Sequence, residues 1–531
     1  MSLTARHWRR WATALTAALV TALTTAAGGP AAAHRDASLS PDIEAIMHKP
    51  AYVHAQWGLL EIDDQTGRVI HSQYPNQFFL PGSTAKLVAV SGAIHALGFD
   101  HRFTTPVQQL GHRSGSTLNG ALALVAQGDL TMGGRTKPDG SVDFRPIDHT
   151  YAGAVPGAQL TPEDPLAGID QIARQIRSTG ITHVQGNVVI DNRLFTTAPA
   201  FDPAPDPLII NDNLIDLLST PTTPGHAAKL FWRPQVAPYQ VTSSVRTVAA
   251  GGPTAVTFTT SHNGTRIHVS GTIAAGSQPQ LQVSGIQDPA AFGRTALIEA
   301  LQRAGVTVSA PPTGPNPSRL LPGSYAGTPR VAAYVSPEFW QYVRLIFKVS
   351  HNLGANLSLC LQAVTIGSHQ CGDGFTVLHR FLVGAGIDPT QFNLNDGRGG
   401  DPNDRVTPRG ENELLHYWLH TPDAIRFRDT LPLMGVDGSL AFVCQGSATC
   451  PGKGKVWGKT GTVAGEDALN NRIAEGALSI GGYMEVCGGH YYTYYLVVNG
   501  ASVPDINGVI EGGNDLARIA GLLQEQAVSG H

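Results

Sequence analysis

The sequence has 531 residues, 42% of them hydrophobic, and a formal net charge of −4. At roughly 100–200 residues per domain, this length predicts about three domains with ample material for a core. Residues 1–33 hold three arginines and no acid, so the remainder carries 33 basic against 40 acidic side chains. The resulting charge of −7 argues against nucleic acid as a partner.

The first 33 residues have the features of a secretory signal peptide. A basic start is followed by an apolar stretch from Trp11 to Leu23 and by the small residues Ala31–Ala33. A transmembrane anchor would need about 20 predominantly apolar residues, and five threonines between residues 13 and 25 interrupt this run. We therefore expect an exported chain without a stable membrane span after cleavage, located outside the cell or in the cell-wall or periplasmic space.

Five cysteines in an oxidising compartment leave at least one unpaired. The pairs nearest in sequence are Cys360 with Cys371 and Cys444 with Cys450, which leaves Cys487 as the odd one. A metal site is the alternative, but the chain has no Cys-x-x-Cys, so structural disulfides are favoured.

Two short apolar strands, at residues 56–60 and 68–70, flank the turn sequence Asp63–Gly67 and predict a β-hairpin. A helix is expected next. It begins near Ser83, after Pro81 and Gly82, and ends at Gly98, because apolar residues recur at helical spacing between these points.

The segment from about residue 105 to 335 differs, with short alternating strands and many glycines and prolines. Two helices are expected in it, one from Asp164 to Gly180 and one from Pro289 to Gly305. The stretch 197–224, rich in proline and threonine, predicts a boundary loop between two subdomains.

Beyond about residue 335 helices and strands are mixed again. The pattern predicts helices at 336–363, 374–385 and 409–419, strands at 477–480 and 491–498, and a last helix capped by Asn514.

Ser83-Thr84-Ala85-Lys86 places a serine three residues before a lysine, and such positions are neighbours on a helix. A neutral Lys86 could take the proton from Ser83 as the serine attacks a carbonyl group. A capping serine with a solvent-facing lysine is the simpler interpretation of this tetrapeptide alone. Two companion motifs later in the chain favour the catalytic interpretation.

The third motif is Lys459-Thr460-Gly461-Thr462, which the sequence predicts to lie on an edge strand. Glycine at position 461 lets a substrate backbone approach closely. Lys459 and the two threonine hydroxyls can bind a terminal carboxylate. A charged surface strand is the simpler alternative.

A Ser-x-Asn motif occurs twice, as Ser-His-Asn at 261–263 and at 350–352. The first is followed by Gly264 between two alternating strands and predicts a hairpin turn. The second lies at a corner between two apolar helical runs, which can direct Ser350 and Asn352 into a cleft. Context and order favour the second as the functional motif.

These three motifs resemble those of penicillin-binding proteins and serine β-lactamases. More narrowly, the chain resembles the low-molecular-mass class C type, the D-alanyl-D-alanine carboxypeptidase/endopeptidase family. The likeness covers most of the chain and includes Trp57-Gly58, Asp64–Gly67, Phe79–Ser83, Gly128-Asp129, Gly186–Asp191, Asp396-Gly397, Arg405–Pro408, Leu431-Pro432 and Gly435–Gly438. Departures are His351 where the family usually has Asp, Asp396-Gly-Arg-Gly-Gly400 where it has Asp-Gly-Ser-Gly-Leu, and Leu130 where it has Pro.

The resemblance implies an α/β (α+β) fold, with a transpeptidase-like domain interrupted between the first and second motifs by a β-rich insertion of two subdomains. The 267-residue spacing from Ser83 to Ser350 agrees with this. The expected transpeptidase-like domain covers 34–105 and 336–531, and the insertion comprises one subdomain at 106–198 that returns at 311–335 and another at 199–310.

By resemblance, Ser83 is the acylated nucleophile, Lys86 its base and Ser350 a proton relay. The backbone N–H groups of Ser83 and Thr462 would form the oxyanion hole. Substrate binding would fall to Asn352, Lys459, Thr460, Gly461 and Thr462. The implied partners are β-lactams and peptidoglycan stem peptides ending in D-Ala-D-Ala, with endopeptidase action on cross-links as the same chemistry, and no metal or organic cofactor is required.

Two other functions stay open: a β-lactamase or an acyltransferase on another D-amino-acid peptide, and a non-catalytic wall-binding protein. A Ser-His-Asp hydrolase is disfavoured because no Gly-x-Ser-x-Gly occurs. His416 and His420 have the i, i+4 spacing of metal-binding helices. Because no Glu follows His416 and no third ligand is evident, a structural or surface pair is favoured over a metal site. The sequence predicts no oligomeric state.

Overall fold

The computed structural model describes residues 38–445 and 449–530, so the predicted signal at 1–33 lies outside the described residues. The α-helices are α1 (Pro41–Met47), α2 (Ala85–Leu97), α3 (Ala167–Ser178), α4 (Pro289–Arg303), α5 (Phe339–Lys348), α6 (Asn352–Thr365), α7 (Gly374–Gly384), α8 (Pro408–Leu419), α9 (Ala424–Thr430) and α10 (Ile506–Ser529). The strands are β1 (Gln56–Asp63), β2 (Val69–Gln73), β3 (Thr104–Ser114), β4 (Thr117–Val125), β5 (His183–Asp191), β6 (Leu214–Thr220), β7 (Lys229–Arg233), β8 (Gln240–Ser243), β9 (Arg246–Val248), β10 (Ala255–Thr260), β11 (Arg266–Ala274), β12 (Gln280–Gly285), β13 (Thr307–Val308), β14 (Arg330–Val335), β15 (Phe392–Asn393), β16 (Arg405–Val406), β17 (Val456–Asp467), β18 (Arg472–Cys487), β19 (His490–Asn499) and β20 (Ala501–Val503).

One antiparallel sheet joins the two ends of the described chain. Its strand order is β17–β18–β19–β1–β2, with β20 paired to β18. The hairpin of β1 and β2 forms as predicted, and Gln56 of β1 pairs with Asn499 of β19. Strand β17, which carries Lys459, lies at the edge of this sheet, as the sequence predicted.

The two faces of the sheet are covered by different elements, because side chains alternate along each strand. Leu496 of β19 belongs to an apolar cluster with Leu516 and Ile519 of α10. The next residue, Val497, lies in a separate cluster with Phe79 and with Val406 of β16. Helix α8 also packs on β19 and β1.

A group of helices carries the first and second motifs. Helix α2 packs against α6 and α7, and Leu87, Val90, Ile346 and Leu361 are buried in one cluster. Burying each such side chain contributes about 1.5–3 kcal/mol. The helical run predicted at 336–363 is divided into α5 and α6, with the expected corner between them.

Residues 104–335 form three further sheets. The order in the five-stranded sheet is β13–β5–β4–β3–β14. The predicted helices at 164–180 and 289–305 are confirmed as α3 and α4, which pack on each other. The remaining strands form a three-stranded sheet of β12, β6 and β7 and a four-stranded sheet of β8, β9, β10 and β11.

Two sequence predictions about local structure are wrong. The stretch 197–224 is not a continuous loop, because it contains strand β6, whose Ile215 and Leu217 are buried. The last helix begins at Ile506 rather than near Asn514. Its cap is Asp505, whose carboxylate accepts hydrogen bonds from two backbone N–H groups of the first turn.

The structure pairs Cys360 with Cys371 and Cys444 with Cys450, and leaves Cys487 exposed. Within the described ranges, no helix has the length and apolar character that crossing a membrane requires.

Candidate active site

Ser83 lies in a short 3-10 turn, Gly82–Thr84, which leads into α2. Gly82 adopts φ +55°, and a Cβ atom there would lie 2.9 Å from the backbone nitrogen of Thr462. Only glycine therefore allows the turn to approach β17 this closely. The sequence predicted a helix start near Ser83, and α2 begins two residues later, at Ala85.

Lys86 is fully buried one turn beyond Ser83. Its Nζ atom lies 2.6 Å from Ser83 Oγ, 2.9 Å from Asn352 Oδ1 and 2.9 Å from the backbone oxygen of Arg398. A neutral amine has two N–H donors and one lone pair. Donation to the two carbonyl oxygens therefore leaves the lone pair for the hydroxyl proton of Ser83.

The electrostatic surroundings favour this neutral form. Burial, reinforced by the nearby cation of Lys459, lowers the pKa of Lys86 well below its usual value, and Asp396 opposes the shift. Burial also lowers the pKa of Lys459, to about 7. Two buried lysines thus face the same site, and their mutual repulsion disfavours a state with both charged.

Ser350 follows α5 in a left-handed backbone conformation, with φ +59°. The N–H of Ser350 donates to Phe347 O (3.4 Å) and the N–H of His351 to Ile346 O (2.9 Å), the pattern of a Schellman helix end. Glycine usually occupies this position, and a residue with a Cβ costs about 1–2 kcal/mol there. The serine hydroxyl reaches Lys459 Nζ at 2.8 Å. Tyr151 donates a hydrogen bond to the backbone oxygen of Ser350.

His351 is the N-cap of α6. Its Nδ1 accepts a hydrogen bond from Gly354 N at 3.0 Å, as an Asp side chain does at many N-caps. The ring proton is therefore on Nε2, which lies 3.0 Å from Asp212 Oδ1. The histidine thus caps the helix as an Asp side chain can, and it adds a contact with the segment 104–335.

Asp212 connects His351 to a buried charge cluster. Its second oxygen accepts from Arg135 Nη2 at 2.8 Å and lies 2.7 Å from His149 Nε2. Although burial alone would raise the pKa of Asp212, Arg135 and the histidines hold it well below its usual value. His149 also contacts Asp216 at 2.6 Å. These contacts tie the second motif to elements that are distant in sequence.

The third motif lies on β17, and this strand contacts the turn that carries Ser83. A Cβ atom at Gly461 would lie 2.5 Å from Pro81 O and 2.8 Å from Ser83 N. Lys459 is fully buried, and its Nζ donates to Thr460 O at 2.5 Å as well as to Ser350. The hydroxyl of Thr460 lies 2.7 Å from Ser439 Oγ.

The Asp396–Gly400 loop completes the surroundings of Lys86. The buried carboxylate of Asp396 accepts N–H groups of Arg398 (2.9 Å) and Gly399 (2.6 Å), which bends the loop and points the Arg398 backbone oxygen at Lys86. The Arg398 side chain lies 3.2 Å from Asp396. The presence of Arg398 where the family usually has serine therefore leaves the backbone contact with Lys86 in place.

The structure brings Ser83, Lys86, Ser350, Asn352 and Lys459 into one hydrogen-bonded group. Ser261, Asn263 and Gly264 form the predicted hairpin turn between β10 and β11. Sequence reasoning missed several contributors: the backbone oxygen of Arg398, and the side chains of Tyr151, Asp212, Asp396 and Ser439. Asp396 and Arg398 had a sequence signal, because both belong to the segment Asp396–Gly400 that the family resemblance singled out.

This fold and this serine–lysine site define a serine peptidase in which lysine, rather than histidine, contacts the serine. The chain belongs to the D-Ala-D-Ala carboxypeptidase 3 (S13) family, whose model matches residues 39–517. The family predicted from the three motifs is therefore confirmed.

Individual relatives agree with this assignment. The D-alanyl-D-alanine carboxypeptidase of Actinomadura sp. (strain R39) is 25% identical over 461 residues, which cover 82% of this chain and 78% of the relative. The crystal structure of penicillin-binding protein 4 from Haemophilus influenzae is similar at a TM-score of 0.67 and 18% identity, covering 92% of this chain and 99% of that one. The structure of its complex with a β-lactam is similar at a TM-score of 0.64 and 19% identity, covering 92% of this chain and 98% of that one. The predicted fold class is confirmed by these structures.

Proposed function

We propose that the protein removes the terminal D-alanine from peptidoglycan stem peptides ending in D-Ala-D-Ala, through an acyl-enzyme on Ser83. The observation that carries this proposal is the 2.6 Å contact between Ser83 Oγ and the buried Nζ of Lys86. The membership of the chain in a D-Ala-D-Ala carboxypeptidase family supports the choice of substrate.

In the first half-reaction, Lys86 takes the hydroxyl proton while Ser83 Oγ bonds to the carbonyl carbon of the penultimate D-Ala. The carbonyl electron pair moves to oxygen, and the N–H groups of Ser83 and Thr462 stabilise this oxyanion. When the tetrahedral intermediate collapses, the C–N bond breaks. The proton held by Lys86 passes through the Ser350 hydroxyl to the leaving amine.

In the second half-reaction, water attacks the ester carbonyl and gives its proton to Lys86. Collapse breaks the bond to Ser83 Oγ, which regains the proton, and releases a peptide shortened by one residue. No other reactant is needed. The lowered pKa of Lys86 supports this cycle because the lysine must begin each half-reaction as a neutral base.

Substrate orientation follows from the edge position of β17. We propose that Lys459, Thr460 and Thr462 bind the terminal carboxylate and that Asn352 binds the substrate amide. The missing side chain of Gly461 faces Pro81 and Ser83, so this glycine makes room for the Ser83 turn rather than for the substrate that the sequence predicted there. The side chain of Thr462 is exposed and that of Thr460 half-buried, so both hydroxyls can meet a ligand.

The same chemistry extends to endopeptidase action on cross-links, where the leaving group is larger. Penicillin would acylate Ser83 because its strained amide imitates D-Ala-D-Ala and its leaving group stays attached. A cell-wall substrate also requires export, which we propose on the signal-like residues 1–33.

The test is covalent labelling with fluorescent penicillin, followed by an assay of free D-Ala from a peptide ending in D-Ala-D-Ala. Wild type should label and release D-Ala, whereas Ser83→Ala should do neither while keeping the circular dichroism of the wild type. Labelling of Ser83→Ala would refute the nucleophile assignment. Wild-type labelling that decays within seconds without D-Ala release would identify a β-lactamase instead.

A further inference from the structure

Two exposed histidines and one largely buried carboxylate meet outside the group of residues around Ser83. His416 lies in the last turn of α8 and His420 directly follows that helix, while Asp64 belongs to the turn between β1 and β2. The side chain of Asp64 is 11% exposed, whereas those of His416 and His420 are 54% and 56% exposed. The structure thus places a carboxylate beside the two histidines, where the sequence showed no third candidate ligand.

The three side chains present ligand atoms to one point. Asp64 Oδ1 lies 2.7 Å from His416 Nδ1, and Asp64 Oδ2 lies 3.2 Å from His420 Nε2. With one ligand atom taken from each residue, the three atoms lie within 4.8 Å of one another. The i, i+4 spacing places both imidazoles on one face of the helix end, where their centroids are 4.4 Å apart.

We propose that Asp64, His416 and His420 form a binding site for a divalent transition-metal ion of the zinc class. Two imidazole nitrogens and one carboxylate oxygen are a donor set that zinc accepts, with water as the fourth ligand. Ligand atoms at 2.0–2.2 Å from a tetrahedral zinc ion lie about 3.3–3.5 Å apart. The 2.7 Å contact between Asp64 and His416 must lengthen to reach that geometry, and rotation of the exposed imidazole allows this.

The surroundings leave room for a solvent ligand and define the role of the ion. Both imidazoles are more than half exposed, so water can reach an ion held between them. A surface cleft of about 260 Å³ also opens beside Asp64, lined by Leu419, Arg428 and Tyr491 but by neither histidine. Strands β18 and β19 separate β1 from β17, so the ion would not touch the Ser83 site. Its effect is to fasten the β1–β2 turn to the end of α8 and thereby to stabilise the fold.

The competing explanation is a carboxylate hydrogen-bonded to two histidines without any ion. Metal retention separates the two. Purified, tag-free protein is stripped with EDTA, incubated with Zn²⁺ and desalted, and the bound metal is counted by mass spectrometry. The wild type should retain about one zinc per chain, and its melting temperature should rise with Zn²⁺ but not with Mg²⁺, which prefers six oxygen ligands.

The variants His416→Gln, His420→Gln and Asp64→Asn should each weaken zinc binding at least tenfold and lose the thermal shift. The matched control is His379→Gln, an exposed histidine on α7, which should behave as wild type. Circular dichroism without metal monitors folding of every variant. Equal zinc retention by His416→Gln and wild type, or a wild type that retains no zinc, would overturn the proposal.

Discussion

Burial of Lys86 acts in opposite directions on stability and on reactivity. The folded-state pKa lies below the unfolded value of about 10.4, so the unfolded chain binds more protons between these two values. The buried lysine therefore destabilises the fold at low and neutral pH, and this cost disappears as the pH rises toward the unfolded pKa. The same shift keeps the amine available as a base.

The rate of Ser83 acylation should consequently rise with pH through the lowered pKa of Lys86. The affinity for the ligand before acylation should instead fall as the pH rises. Lys459, whose pKa is about 7, loses its charge above that pH and binds a carboxylate less well. The two effects can be separated by measuring the acylation rate constant and the pre-acylation affinity for a β-lactam independently, from pH 5 to 10.

Lys86→Met provides the control for that profile. It keeps the length of the buried side chain and removes the base, so acylation should fall by about 10²–10⁴-fold, the usual contribution of a general base. The residual rate should lose its dependence on the lysine pKa. A rate within tenfold of wild type would show that another group takes the proton.

At the scale of single elements, the contact between β17 and the Ser83 turn depends on the absence of one side chain. Gly461→Ala would place a methyl group 2.5 Å from Pro81 O and 2.8 Å from Ser83 N. The turn must then move away from the strand, so we expect at least about a hundredfold loss of penicillin acylation. A melting temperature measured alongside reports the accompanying strain.

Gly465→Ala is the matched control on the same strand. An added Cβ there meets no atom within 4 Å, so this variant should acylate within about twofold of wild type. If both variants lose activity equally, the loss is caused by a general need for glycine in β17 and not by the contact between Gly461 and the Ser83 turn.

Local periodicity predicted the elements whose pattern lies within one segment. The β1–β2 hairpin, α3 and α4 are of this kind. Strand β6 was hidden because its seven residues lie inside a stretch rich in proline and threonine. The start of α10 was placed too late because Gly508, Gly512 and Gly513 have low helix propensity and Asn514 is a common N-cap residue.

The residues of the candidate site also differ in whether the sequence alone could identify them. Ser83, Lys86, Ser350, Asn352 and Lys459 could be chosen because each belongs to a short motif. Asp212 and the Arg398 backbone oxygen could not, since their contacts with His351 and Lys86 depend on tertiary structure alone. The roles of the motif residues and the domain boundaries stay predictions.

At the scale of the whole molecule, the pair of His351 and Asp212 links the second motif to the segment 104–335. In His351→Asp the new carboxylate can still cap α6, but it faces Asp212 in a buried place, where two like charges repel. We expect a destabilisation of several kcal/mol, as for other unpaired buried charges. Urea unfolding followed by circular dichroism measures it.

The double variant His351→Asp with Asp212→Asn tests the cause. It removes the repulsion and keeps the cap, so it should recover stability and acylation relative to His351→Asp alone. Asp212→Asn by itself controls for the loss of the contact with Arg135. Failure of the double variant to recover would show that the imidazole shape, and not its pairing with Asp212, maintains the second motif.

The pairing of Gln56 with Asn499 also sets the time at which the molecule becomes active. Strand β1, which leads toward Ser83, lies between β2 and β19, and the edge strand that carries Lys459 attaches through β18. A chain that has left the ribosome only as far as α9 contains Ser83, β1 and β2, but it lacks β17, β18 and β19. The order of synthesis therefore imposes a delay: the reactive centre is completed only when nearly the whole polypeptide has emerged.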